Sequence, residues 1–173
     1  MQETNGPLIF SRLNDQGFSE HARWIGIIIG NGALLESELE LLYSQVFKLE
    51  YHRSKILFYS MQHTLSERKA ISAGIKEFFP DTEILSAWNA IQNSLEMAIN
   101  KRNLVAHAVW AEDPKTKELQ FRKTHVGKRY KNERELYSVD KLEKIATEIA
   151  EVSGKLNQIS TMLVKTKPPP PIS

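Results

Sequence analysis

Between Glu20 and Leu49 the residues Ile28, Leu35, Leu39, Leu42 and Val46 recur at helical steps, a spacing that gathers them on one side of a helix. Three further stretches are read as helices. One runs from about His52 to His63 with Ile56, Tyr59 and Met61. A second restarts at Ser66 and passes through Ala70, Ile71, Ile75 and Phe78. A third follows Pro80-Asp81 and presents Leu85, Trp88, Ile91, Leu95 and Ile99. Pro80 cannot donate a backbone hydrogen bond, and Asp81 or Thr82 can cap the helix that follows. Ser138 opens the last helix, whose residues Leu142, Ile145, Ile149, Val152, Leu156, Ile159 and Leu163 step by three or four. That is a heptad-like core stripe.

The pattern breaks between the last two of these helices. Asp113-Pro114-Lys115-Thr116-Lys117 is turn chemistry, and the flanking segments Val105 to Ala111 and Glu118 to Thr124 alternate weakly, which predicts a short β-hairpin. The reading is all-α: a bundle of four or five helices with a short β-hairpin inserted before the last long helix. Residues 1–19 form an irregular lead-in, with Ser19 placed to cap the first helix. Residues 20–164 form one helical domain. Residues 165–173, with four consecutive prolines, form a Pro-rich tail of polyproline character.

Composition narrows the function classes. A chain of 173 residues, 41% hydrophobic and 25% charged, is an ordinary globular domain. It has no cysteine, which excludes disulfides, thiolate metal sites and cysteine nucleophiles, and suits a reducing compartment. The longest apolar run, Trp24 to Leu35, is interrupted by Asn31 and falls short of the roughly 20 residues of a membrane span. MQETNGPLIF lacks the basic start and apolar core of a signal peptide, so the expected location is the cytoplasm, away from the membrane. His21, His52, His63 and His125 show no metal-ligand spacing, and no glycine-rich phosphate loop is present. Neither a metal nor a cofactor is expected. Gly26, Gly30 and Gly32 each weaken an isolated helix by up to ~1 kcal/mol, so they mark either close packing inside the bundle or a dimer contact.

Two segments carry candidate chemistry. In KRNLVAHAVW, Lys101 to Trp110, an arginine, an asparagine and a histidine fall within six residues. In an unbroken helix Arg102 and His107 lie about 140° apart around the axis and share no face. Either the helix unwinds near Asn103, which the following hairpin favours, or the two side chains meet in a pocket bounded by a second element or subunit. Arginine offers a fixed fork of donors to phosphate oxygens, and histidine exchanges protons near neutrality. Together they suit cleavage of RNA by its own 2′-hydroxyl without a metal. The competing reading is a cationic helix C-terminus that complements the dipole. The other segment, RKTHVGKRYKNER from Arg122 to Arg134, carries six Lys or Arg against Glu133 alone. There Arg122, Lys123, Lys128, Arg129 and Lys131 can follow an RNA backbone while Tyr130 stacks on a base. The plainer alternative is a solvated strand edge whose lysines discourage pairing.

Arg102-Asn103-Leu104-Val105-Ala106-His107 resembles the R-x4-6-H motif of the HEPN superfamily, in the form where asparagine follows arginine. GALLESELELLY, Gly32 to Tyr43, is similar to the glycine-containing, Leu-Glu-rich first helix of bacterial HEPN-like proteins. The resemblance implies a metal-independent endoribonuclease, acting as a toxin or antiviral defence effector with a neutralising protein partner. It also implies a homodimer in which two motifs share one cleft. By position, His107 becomes the proton-transfer group, Arg102 the phosphate clamp, Asn103 the residue that orients one of them, and Glu36 a support that pairs with Arg102. Ala108 stands where many relatives carry glycine. Inactive members imply the alternative, a non-catalytic nucleotide- or protein-binding module such as an antitoxin or adaptor.

Overall fold

A computed structural model of the chain describes residues 16–61, 64–112, 119–124 and 132–166. Within them the order is α1 (Gln16–Phe47), α2 (Tyr51–Ser60), α3 (Thr64–Phe78), α4 (Glu83–Ala106), β1 (Val109–Glu112), β2 (Leu119–Thr124), β3 (Asn132–Leu136) and α5 (Val139–Lys165). No helix among these residues is long and apolar enough to cross a membrane.

The helical bundle rests on the long stripes. Ile28, Leu35, Leu39, Leu42 and Val46 of α1 are buried, as are all seven stripe residues of α5, and these two helices form the most extensive pairing in the molecule. Each such side chain contributes roughly 1.5–3 kcal/mol on leaving water. Asn31 adds a polar tie, its Nδ2 donating to Ala146 O (3.0 Å). α4 packs on both helices through Trp88, Ile91, Leu95, Ala98 and Val105.

The helix ends follow from local chemistry. Thr82 Oγ1 accepts from Leu85 N (3.4 Å) at the start of α4, and Ser138 Oγ accepts from Lys141 N (3.2 Å) at the start of α5, each satisfying an amide with no partner inside its helix. α1 ends with Lys48 in the left-handed region (φ 50°). Leu49 N then donates to Ser44 O (3.0 Å) and Lys48 N to Gln45 O (3.4 Å), the paired bonds of a Schellman ending.

Several expectations are corrected. α1 begins at Gln16 rather than near Glu20, so Ser19 lies within the helix and not at its start. In α2, Ile56 and Tyr59 are exposed, and the residues turned inward are Ser54 and Phe58. The bulky residues of this 10-residue helix show no repeated step, so its sequence assigns it no inward face. The inserted element is a three-stranded antiparallel sheet in the order β1-β2-β3, not a two-stranded hairpin, and its first strand starts at Val109 because α4 stays helical to Ala106. β3, sequence NEREL, has no apolar alternation to announce it. The expected turn at residues 113–118 and the proline run of the tail lie outside the described residues.

Candidate functional site

Arg102 projects from α4 onto α1 because one position there has no side chain. A Cβ at Gly32 would lie 2.4 Å from Arg102 Cγ, 2.8 Å from its Nε and 3.1 Å from its Cδ. The arginine stem thus crosses α1 over Gly32 and reaches Glu36, one turn further along the same face. There Arg102 Nη2 pairs with Glu36 Oε1 (3.1 Å), and Arg102 Nη1 donates to Asn103 Oδ1 (3.0 Å). The Nε group is buried and has no hydrogen-bond partner among the described residues. The structure therefore brings Arg102, Asn103 and Glu36 together.

His107 stands apart from them. α4 does not unwind at Asn103: it continues to Ala106, and His107 is the C-cap residue (φ −101°, ψ 7°), with its N–H bonded to Asn103 O (3.0 Å). Asparagine ends helices when its side chain competes for backbone groups. Here that amide oxygen is occupied by Arg102, and the competition is absent. The imidazole is exposed, with no hydrogen-bond or ion-pair partner among the described residues. Within one protomer, then, Arg102 turns inward to α1 while His107 faces solvent from the end of the same helix.

The corner after His107 is braced by an indole. Val105 O accepts from Ala108 N (3.4 Å) and from Trp110 Nε1 (3.3 Å), which satisfies a carbonyl that the helix end would otherwise leave open. Trp110 also meets Tyr137 edge-on, with ring centroids 5.6 Å apart. Lys141 Nζ lies 4.0 Å from the centre of the Tyr137 ring, and His21 Nε2 donates to Tyr137 O (3.1 Å). The sheet is thereby anchored to both α4 and the start of α5.

Of the candidate RNA-binding residues, Arg122 and Lys123 lie in β2, opposite Arg134 and Glu133 of β3 in register. Lys128, Arg129, Tyr130 and Lys131 lie outside the described residues. Two acids were not among the site residues expected from the sequence. Glu40 is buried, and its Oε2 accepts from Tyr59 OH (3.2 Å). On α3, Glu67 has its carboxyl held above the ordinary range, first by burial and then by the charge of Glu36. Among the described residues no group of three or more His, Asp or Glu converges as a metal site would require.

The Glu67 shift has a measurable sign. A carboxyl with a raised folded-state value binds its proton more tightly when folded, so stability falls as pH rises from the ordinary glutamate range through that value. Glu67→Gln should therefore raise the melting temperature near neutrality and lose that advantage in acid, where the wild-type carboxyl is protonated in both states. Melting curves at the two conditions check this, and an equal shift at both would contradict it.

Compared with protein-family models, curated proteins and solved structures, the chain matches none.

Proposed function

We propose that the protein is a metal-independent endoribonuclease of HEPN type. The observation that carries this reading is an arginine fixed by Glu36 and Asn103 near the end of α4, with an exposed histidine at the cap of the same helix that has no partner among the described residues. In the reaction a base removes the proton of the RNA 2′-hydroxyl and the freed oxygen attacks the adjacent phosphorus. The 5′-oxygen leaves with a proton, giving a 2′,3′-cyclic phosphate and a 5′-hydroxyl end. His107 exchanges the proton, and the Arg102 guanidinium stabilises the crowded phosphorus centre. Each protomer supplies one such imidazole, so a homodimer provides both base and acid. An uncharged outer stretch of α1 supports that assembly, since Ile29 and Leu34 are exposed and Gly26 and Gly30 have open space beside them. RNA is the substrate, with the basic run Arg122 to Arg134 as its backbone contact. A toxin or defence effector restrained by a neutralising protein fits this activity.

The test is mixed RNA incubated with purified protein in EDTA, beside His107→Ala. Wild type should cleave and the variant should lose roughly 10²–10⁴-fold of the rate, with cyclic phosphate ends on the products. If both leave RNA intact at high concentration, or degrade it equally, His107 is not catalytic.

One observation favours a second reading, a non-catalytic binding module of the antitoxin or adaptor kind. Both terminal nitrogens of Arg102 already have partners, and the carboxylates of Glu36 and Glu67 interact close by, a field that repels phosphate. On this reading His107→Ala alters melting temperature or partner binding, with no nuclease activity to lose.

A further inference from the structure

We propose that Gly32 is the positioning residue for Arg102: it is glycine because the arginine stem occupies the space that any side chain at this position would need. The three nearest heavy atoms to a Cβ built there are Cγ, Cδ and Nε of Arg102, at 2.4, 3.1 and 2.8 Å. These belong to the middle of the side chain. They cannot swing aside as a lysine tip would without drawing the guanidinium away from Glu36, which it meets at 3.1 Å.

The other helical glycines show that this is particular to one site. Gly26, Gly30 and Gly154 have nothing within 4 Å of an added Cβ, and at Gly74 the nearest atoms belong to Val46 and Phe47. Gly32 alone among these five faces a charged side chain. Glu36 lies four residues later on the same helix face, about 6 Å along the axis. Gly32 and Glu36 therefore act as a track and its stop: the glycine admits the stem, and the carboxylate fixes the head. Burial of Nε without a partner among the described residues adds a second constraint, since that N–H is shielded from water beside position 32.

Two consequences separate the role from general packing. A methyl group at position 32 obstructs only while the arginine stem is present. With the stem removed, alanine should act as it does in any helix, where it is favoured over glycine. The catalytic consequence rests on the ribonuclease reading above: a displaced guanidinium lowers kcat more than it raises KM.

The experiment is a cycle of four full-length proteins: wild type, Gly32→Ala, Arg102→Ala and the double variant. In the wild-type background Gly32→Ala should lower Tm by about 2–4 °C, and in the Arg102→Ala background it should raise Tm by about 2–4 °C. Failure of Gly32→Ala to fold, with folding restored in the double variant, supports the proposal equally. A shift of the same sign in both backgrounds, or failure to fold in both, overturns it. The ¹⁵Nε resonance of Arg102 gives an independent readout. Its N–H should be protected from solvent exchange in wild type and lose that protection in Gly32→Ala, and unchanged protection counts against the proposal. The cycle needs no enzymatic activity. A wild type inert on RNA overturns the ribonuclease reading alone, whereas a cycle without sign reversal overturns the role of Gly32 alone.

Discussion

Trp88→Ala should destabilise the protein by about 3–5 kcal/mol, the largest loss expected from any single truncation. The indole is 1% exposed and is the bulkiest fully buried side chain among the described residues. Its Nε1 donates to Ser72 Oγ (2.9 Å), tying α4 to α3. Alanine removes the ring, leaves a cavity that neighbouring helices fill only partly, and strands the serine hydroxyl. Trp88→Phe separates these terms, because it keeps most of the apolar volume while giving up the indole hydrogen bond, and should cost about 1–2 kcal/mol. Urea unfolding measures both, with a lower midpoint at unchanged slope as the expected form. A cost below ~1 kcal/mol for alanine would mean that the bundle closes around the missing ring, contrary to the close packing of interiors.

Gly74→Val should cost about 2–3 kcal/mol by the opposite route, overfilling. A Cβ there would lie 2.5 Å from Val46 Cγ1 and 2.8 Å from Phe47 Cζ. The phenylalanine ring can tilt, but Val46 is buried and β-branched, with little rotamer freedom to yield. The two further methyl groups of valine have nowhere to go except by moving α3 away from the end of α1. Gly154→Ala supplies the contrast. It faces open space within α5 and should stabilise the protein by about 0.5–1 kcal/mol. Shifts of opposite sign in the urea midpoint, with the larger one at Gly74, would place the cost of Gly74→Val in packing, since both sites are helical glycines.

How much of this was legible beforehand depended on length of pattern. α1 and α5 repeat their apolar step often enough that all the residues assigned to their stripes are buried. Thr82 and Ser138 announced two helix starts because a cap needs only one side chain and one amide. α2 was legible as a helix, but its short sequence holds no repeated apolar step that singles out Ser54 and Phe58 as its inward residues. β3 was not foreseen because Asn132–Leu136 pairs through its backbone, to which residue type is a poor guide. At the site, the pairing of Glu36 with Arg102 was anticipated from position, while the course of α4 through Asn103 was not. The sequence shows that asparagine can end a helix and cannot show that its amide is already occupied. Gly32 was read as either a packing glycine or a dimer contact, and sequence alone does not reveal which neighbour a missing side chain makes room for.

The pairing of α1 with α5 also sets a timetable. Contacts such as Asn31 to Ala146 and Glu38 to Asn157 join residues 115 and 119 positions apart. At about 5–20 residues per second, a ribosome needs roughly 6–25 s to deliver the second partner after the first. Through that interval the buried stripe of α1 has no α5 to cover it. The α1 stripe is therefore where a nascent-chain chaperone would find its binding surface, and the bundle closes only once its final helix has emerged.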